Sequence, residues 1–408
     1  MKIKDDSRKI KKGDTFIALK KVHDGHEYII DAIKNGASKI IAERGSYEVD
    51  TLIVGDTHKY LVDYLYDNYY DKIKHLKLIG MTGTNGKTTT CYLIYQTLNK
   101  LNIKCAYIGT IGFYLDKKIR DLSNTTPDIL EIYEMLLECV DNDVEYVVME
   151  CSSHALSMER LAKLKFKYGI FSNLTEDHLD YHKTMENYIK AKQILFDNVI
   201  DKTFVNNDDN YKKYFIKDNS ITYGINGGDY RLTDYEINLE GSSFKVNDIS
   251  YKTKLIGKHN LYNVLVVIAL LSELNLDTSV ISELECPKGR MDIVRKDDNL
   301  VVVDYAHTPD AVFKIINAVK ELKPNHIITI VGCGGDRDPY KRPMMSNIAC
   351  SNSDWVIITN DNPRSENPNN IISDMLHNLD KFNYEIILNR KNAIIKGIQM
   401  LDKNDILL

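Results

Sequence analysis

Proline is scarce in this 408-residue chain, with 8 in total. No Pro-rich linker marks a domain boundary, so boundaries must come from the order of motifs. The seven cysteines are odd in number and scattered, with no Cys-x-x-Cys. That spacing supports neither a zinc ribbon nor a disulfide framework, and it suits a reducing compartment. No apolar run approaches the ~20 residues needed to cross a bilayer. The start, Met1-Lys2-Ile3-Lys4-Asp5-Asp6, lacks the apolar core of a signal peptide. The expectation is a cytoplasmic protein with no membrane insertion. An excess of one charge is missing too. Lys plus Arg is 53 and Asp plus Glu is 58, a net charge of -5. That near balance argues against nucleic-acid binding and against a polybasic membrane binder. Hydrophobic residues are 43% and charged residues 27%, which excludes wholesale disorder.

At ~150 residues per domain the length predicts two or three domains. Motif order places them at 1–76, 77–286 and 287–408. The first reads as a small α/β module: short apolar runs such as Thr15-Phe16-Ile17-Ala18-Leu19 and Lys39-Ile40-Ile41-Ala42 alternate with helix-like stretches such as 27–35. The second opens on a short strand at 76–80, followed by a Gly-rich turn and a helical pattern over 88–100. Strands at 144–150 and 168–172 continue it, and alternating strands and helices predict a mainly parallel sheet. The stretch 229–251 alternates more and predicts an antiparallel appendage. The third module has strand candidates at 300–303, 327–331, 355–359 and 384–388. Val312, Ile315, Ile316, Val319 and Leu322 stripe one helix between them. It reads as a second α/β sheet of Rossmann type, with one more strand at 405–408.

The strongest local signal is Gly80-Met81-Thr82-Gly83-Thr84-Asn85-Gly86-Lys87-Thr88-Thr89, between a strand and a helix. Glycines let backbone N–H groups turn inward onto phosphate oxygens. Lys87 would face the β- and γ-phosphates, and the Thr88 hydroxyl would reach Mg²⁺. The helix that starts there adds the positive end of its dipole. Strict Walker spacing asks for glycine at 81, where Met stands. No other basic residue lies within the loop.

Three further groups follow predicted strands. Glu150-Cys151-Ser152-Ser153-His154 places Glu150 at a strand end, where a hard oxygen can bind Mg²⁺. No Gly-x-Ser-x-Gly elbow accompanies it, which argues against a nucleophilic serine. Asp177-His178-Leu179-Asp180-Tyr181-His182 could ligate a cation or form a solvated loop. The helix beyond it has a stripe of Met185, Tyr188, Ile189, Leu195, Phe196 and Val199, with Lys192 in the middle. A lysine on a buried face is expensive unless it is paired or chemically altered; snorkelling is the alternative. In the third module Gly289-Arg290-Met291-Asp292 precedes the first strand, and residues 304–310, 332–338 and 361–364 follow successive strands. In a parallel sheet such loops line one ligand-binding edge.

Together these motifs resemble the Mur ligase family, in order and over nearly the whole chain. Further matching pieces are Asp6-Ser7-Arg8, Asp24-Gly25-His26, Asn124-Thr125-Thr126-Pro127-Asp128 and Asn206-Asn207-Asp208-Asp209. The resemblance implies an α/β protein of three-domain Mur ligase architecture, with a central P-loop ATPase parallel sheet and a Rossmann-like C-terminal domain. By resemblance, 1–76 holds a uridine nucleotide, 77–286 binds ATP, and 287–408 carries the incoming amino acid. Gly83, Thr84, Asn85, Gly86, Lys87, Thr88 and Thr89, with Asn260, Asn263, Arg290, Asp304 and His307, match the ATP side. Ser7, Asn124, Thr125, Thr126, Ser152 and Arg160 match contacts to the UDP-sugar-peptide. Lys192 matches a lysine carbamylated by CO₂, and Thr88, Glu150 and His178 match the other positions around Mg²⁺. Lys87, Lys192, His178 and Glu150 are the catalytic candidates. Arg337, Asp361, Asn362 and Arg364 match the amino-acid site.

Members with arginine at the position of Arg364 take meso-diaminopimelate, whose second carboxylate suits a bidentate guanidinium. The implied partners are therefore ATP, UDP-N-acetylmuramoyl-L-alanyl-D-glutamate and meso-diaminopimelate, used by a monomer. The implied reaction is amide formation through an acyl phosphate. Three departures stand out. Only five residues precede Asp6, the chain stops ahead of the family's Gly-Lys-Gly-His-Glu loop, and Pro339-Tyr340 replaces a small or basic pair. The amino-acid site is expected to be incomplete as written. The alternatives are a lysine-adding relative, a folylpolyglutamate- or cyanophycin-type ligase, and a non-catalytic nucleotide-binding relative.

Overall fold

A computed structural model describes residues 2–21, 23–238, 240–296 and 299–408. They form two units, Met1–Thr222 and Tyr223–Leu408.

In the first unit a four-stranded parallel sheet runs in chain order through Ile3–Lys4, Thr15–Ile17, Lys39–Ala42 and Asp50–Ile53. The 17-residue helix Thr57–Ile73 follows. It is rich in tyrosine and charge and was not singled out in the sequence. The larger sheet has the strand Lys77–Thr82 in its interior, flanked by Phe166–Phe171 on one side and Tyr146–Glu150 on the other, all parallel. Val199–Asn206 extends it past Phe166–Phe171, and Cys105–Gly109 extends it past Tyr146–Glu150. An antiparallel run, Gly112–Tyr114 and Lys118–Arg120, closes that edge. The interior strands are almost wholly buried. This is why they read as continuous apolar runs instead of alternating ones. Chain connections leave Lys77–Thr82 for one side and later return to the other. That order reversal puts a crevice at the carboxyl ends of these three strands.

The helix Met185–Asp197 buries Tyr188, Ile189, Ala191, Lys192, Leu195 and Phe196. Val199, read as part of its stripe, instead begins the next strand. The helix stops at Asp197, and the Asn198 amide N–H turns back to the Leu195 carbonyl.

In the second unit Tyr230–Asn238, Gly241–Val246 and Ile249–Thr253 form the expected antiparallel meander. The buried helix Lys258–Glu273 follows. A six-stranded sheet then has the order Asp292–Lys296, Asn299–Val303, Ile406–Leu407, Ile327–Val331, Trp355–Ile358, Tyr384–Ile386. Only the first pair is antiparallel. That first strand was missed: it is a charged edge, and charge on an edge strand blocks unwanted pairing. The helix Pro309–Lys320 buries Val312, Ile315, Ile316 and Val319 against this sheet, as its stripe predicted. Among the described residues no helix is long and apolar enough to cross a membrane.

Candidate active site

Three parallel strands deliver their loops to one edge of the first unit. The chain stays in the strand through Thr82, so Met81 is a buried strand residue. Gly83, with φ +149°, makes the turn; a Cβ there would lie 2.0 Å from the Ser172 hydroxyl. The departure from Walker spacing thus falls in the strand, not in the loop. The loop is fastened to the neighbouring strand's end. The Thr84 amide donates to the Asn173 carbonyl at 2.8 Å, and the Asn85 amide donates to Asn173 Oδ1 at 3.0 Å. The Ser172 hydroxyl donates to the Asn85 carbonyl at 2.7 Å. The helix Lys87–Lys100 starts directly behind, with Thr88 and Thr89 buried in its first turn.

Glu150 is 1% exposed and fully engaged. It accepts from the Thr88 hydroxyl at 2.9 Å, the Tyr107 hydroxyl at 2.5 Å, the Thr110 amide at 2.9 Å and the Thr110 hydroxyl at 3.2 Å. Tyr107 and Thr110 were not foreseen. The available signal was a tyrosine inside an otherwise apolar buried strand, since such a hydroxyl needs a partner.

Lys87 Nζ donates to the carbonyls of Gly83 and Thr84, both at 2.9 Å. A second lysine reaches the loop from outside it. Lys192 is 1% exposed, and its Nζ donates to the same Gly83 carbonyl at 2.8 Å. It does not snorkel. It lies over the Tyr188 ring, 4.4 Å from its centroid. Burial, and then the nearby Lys87 charge, push the Lys192 amine well below the ordinary lysine range. Two cations near one carbonyl disfavour each other, which adds to the cost of charging the buried Lys192.

His178 sits at the head of the short helix Leu179–His182 with a left-handed φ of 54°. Its Nε2 lies 3.4 Å from the Asp177 carboxylate, and its ring packs on His154 with centroids 4.8 Å apart. His182 is buried, with Nε2 2.9 Å from the Ser153 hydroxyl. Burial and the neighbouring imidazoles push it down to about 4. Among the described residues no three His, Cys, Asp or Glu side chains are grouped to hold a metal ion. The protein's own hard oxygens here are the Thr88 hydroxyl and the Glu150 carboxylate. Mg²⁺ is commonly held by one or two carboxylates plus substrate phosphates and waters. The pair fits that use.

The residues matched to the sugar-peptide also gather in this unit. The Thr126 hydroxyl donates to the Glu150 carbonyl at 2.7 Å and accepts from the Ser152 amide at 3.0 Å. Arg160 Nη1 donates to the Thr126 carbonyl at 2.9 Å, and its Nε lies 3.0 Å from Asp128. Lys21 pairs with the same Asp128 and with Asp5 at 2.7 Å. The Thr125 hydroxyl is 3.0 Å from that of Thr110, while Asn124 is exposed. Ser7 is buried in a single turn, its carbonyl accepting from Asn35 at 2.9 Å.

The second unit holds two further groups. Asn260 donates to the Ile256 carbonyl at 2.9 Å and accepts from Asn263 at 3.0 Å. Asp304 accepts from the Met291 amide at 2.8 Å, and burial pushes its carboxyl up. The Arg290 guanidinium stacks 4.7 Å from the Tyr305 centroid, and His307 Nδ1 is 3.0 Å from the Tyr305 carbonyl. The other group joins loops 332–338 and 361–366. The Gly335 amide donates to the Asn362 carbonyl at 2.8 Å, and Arg364 Nη1 donates to the Gly335 carbonyl at 2.6 Å. A Cβ on Gly335 would lie 1.9 Å from the Pro363 carbonyl oxygen, so only glycine permits this approach. Arg337, Asp361, Asn362 and Arg364 are all exposed.

Two family descriptions match the chain: the Mur ligase middle domain over residues 81–271, and the Mur ligase glutamate ligase domain over residues 289–408. The UDP-N-acetylmuramoyl-L-alanyl-D-glutamate–2,6-diaminopimelate ligase of Clostridium botulinum is 40% identical, covering 100% of this chain and 89% of its own. The ligase of that name from Clostridium perfringens is 41% identical, covering 100% and 88%. A solved structure of a ligase of that name aligns with TM-score 0.71 at 31% identity, covering 99% of this chain and 88% of its own. The MurF ligase of Thermotoga maritima, solved with ADP, aligns with TM-score 0.68 at 20% identity, covering 100% and 92%; that likeness speaks for the fold alone.

Proposed function

The chain belongs to the Mur ligase family, and from that premise we propose that it joins meso-diaminopimelate to the D-glutamate carboxylate of UDP-N-acetylmuramoyl-L-alanyl-D-glutamate, with conversion of ATP to ADP and phosphate. Peptidoglycan precursor synthesis is the corresponding role. The observation that carries this reading is the single sheet edge that collects a phosphate loop, a saturated carboxylate and a fully buried lysine. The choice of amino acid is supported by Arg364 and by the names of the similar ligases.

The first turn of the helix that starts at Lys87 receives the triphosphate with its N–H groups and dipole, while the amides of Thr84 and Asn85 keep the loop on Asn173. On binding, Lys87 exchanges its two loop carbonyls for phosphate oxygens. Thr88 and Glu150, on exchanging the hydrogen bond between them, would hold Mg²⁺, which would neutralise charge on the phosphates. Once deprotonated, a form that its burial favours, Lys192 is a competent nucleophile toward CO₂. Its nitrogen lone pair takes the carbon, one N–H proton leaves, and an anionic carbamate replaces the amine. That group would offer a further hard-oxygen donor at the end of the phosphate loop, where Lys192 meets the Gly83 carbonyl. Phosphoryl transfer needs little covalent help, so in-line positioning and charge neutralisation dominate. Thr126, Ser152 and Arg160 position the D-glutamate end of the nucleotide substrate, and Ser7 meets the uridine nucleotide. Asn260, Asn263, Arg290, Asp304 and His307 serve the nucleotide side of ATP. Arg337, Asp361, Asn362 and Arg364 take the amino acid. The functional division is 1–76, 77–286 and 287–408.

The test is ADP release with each reactant omitted in turn. The reading requires ADP release to depend on the uridine-linked dipeptide and on meso-diaminopimelate. ADP release that ignores the uridine nucleotide would overturn it.

A further inference from the structure

The two loops that carry Arg337 and Arg364 are held together by an arginine that belongs to neither. Arg342 is the second residue of the helix Lys341–Asn352, and its side chain is 2% exposed. Its Nη1 donates to Glu366 Oε2 at 2.9 Å and to Asp374 Oδ2 at 2.8 Å. Its Nη2 donates to Glu366 Oε1 at 2.7 Å and lies 3.4 Å from the Gly334 carbonyl. The fork on Glu366 is bidentate, a geometry lysine cannot reproduce.

Glu366 passes this hold onward. Its Oε1 also accepts the Asp336 amide at 2.5 Å. The Asp336 carboxylate in turn accepts the Ser365 hydroxyl at 2.6 Å and the Ser365 amide at 3.2 Å. Between these ties lies Arg364, whose guanidinium rests on the Gly335 carbonyl. Its backbone φ is +47°, a left-handed conformation that a residue with a Cβ keeps only when its surroundings impose it. The Asn362 side chain accepts the Arg364 amide at 3.2 Å, and the Pro363 carbonyl accepts the Glu366 amide at 2.9 Å. Arg364 is itself exposed. Its direction therefore comes from the loop, and the loop is fixed from below by Arg342.

We propose that Arg342 is a positioning residue for amino-acid selection: by gripping Glu366 it clamps residues 361–366 onto 334–336, and so fixes the guanidinium of Arg364 for a carboxylate of the incoming amino acid. The inference rests on the reading of Arg364 given above. Arg342 touches no substrate in this scheme.

The test is steady-state kinetics on the full chain with Glu366→Gln, Arg342→Lys and the double variant. Glu366→Gln keeps the side chain's shape and removes its charge. Weakening one charge-assisted contact corresponds to roughly a tenfold change. KM for meso-diaminopimelate should rise about tenfold in Glu366→Gln, and preference over lysine should fall about as much. The kcat at saturation and KM for ATP should stay within about twofold. Arg342→Lys should shift the same quantities, and the double variant should be no worse than the poorer single one, because both break one pathway. Glu366 lies at the surface end of the network, so that variant keeps the proposal testable if Arg342→Lys unfolds. An unchanged KM for diaminopimelate in folded Glu366→Gln would overturn the proposal. So would a KM for ATP that rises in step. Arg364→Lys, run in parallel, separates the two readings. If it leaves KM for diaminopimelate unchanged, the assignment of Arg364 falls and the clamp with it. If it raises KM while Glu366→Gln does not, the clamp alone falls.

Discussion

Lys192→Met should separate turnover from stability. The lysine is 1% exposed, makes one hydrogen bond to the Gly83 carbonyl at 2.8 Å, and packs on Tyr188. Methionine fills nearly the same space without charge. The lost hydrogen bond costs about 1 kcal/mol, and Lys87 still donates to that carbonyl. Removing a buried amine returns a similar amount, since burying a polar group is unfavourable. Stability should therefore change by no more than about 1 kcal/mol. Turnover should not survive. A group that stabilises charge at the reacting phosphate is worth roughly 10²–10³-fold in rate, and the carbamate proposed for Lys192 is such a group. The assay pairs urea unfolding midpoints with ADP release at saturating substrates. Native mass spectra of the wild type in bicarbonate should show a gain of one CO₂ that the variant lacks. Near-normal turnover in Lys192→Met would refute the reasoning. A loss of several kcal/mol in stability would show that the lysine is there for packing.

Other perturbations probe neighbouring parts. Lys87→Ala should lower ATP turnover by about three orders of magnitude, because no other cation lies within the loop; near-normal hydrolysis would remove the phosphate-loop assignment. Tyr107→Phe should cost roughly 1–3 kcal/mol in unfolding free energy, since the hydroxyl donates to the buried Glu150 carboxylate at 2.5 Å; an unchanged midpoint would mean that this contact carries no weight. Gly335→Ala should cost roughly 1–3 kcal/mol through the clash with the Pro363 carbonyl, and a silent substitution would show that the two loops are free to part. Stability should also fall on acidification. His182 is held down to about 4 from its ordinary 6.5, mainly by burial. His154 and His178 are lowered in the same sense. The unfolded chain then binds protons that the folded chain refuses. For His182 that contribution is whole above about pH 6.5 and drains away toward about pH 4. A flat profile over that range in urea titrations would contradict it.

Much of the local backbone of the candidate site was legible because its signals are local. A strand, a glycine turn, Gly-Lys-Thr and a helix lie within 25 residues of one another, and each reports its own backbone. The buried face of Met185–Asp197 was readable from helical spacing, including Lys192 as its anomaly. What stayed hidden depends on which strands become neighbours. Tyr107 meets Glu150 only because Cys105–Gly109 lies beside Tyr146–Glu150, and no spacing along the chain states that order. The Arg342 clamp joins a helix start to a loop 24 residues on and leaves no period to detect. The edge strand Asp292–Lys296 was missed for the opposite reason: its charges are local and suit an exposed turn equally well.

The proposed function turns on selection of an amino acid with a second carboxylate. The most direct measurement is a one-pot competition. The enzyme, ATP, Mg²⁺ and UDP-N-acetylmuramoyl-L-alanyl-D-glutamate are incubated with equal meso-diaminopimelate and lysine, and the uridine-linked products are resolved by mass. A bidentate arginine–carboxylate contact is worth roughly 1.5–3 kcal/mol, so the diaminopimelate product should exceed the lysine product by at least tenfold. Equal products, or a dominant lysine product, would contradict the account.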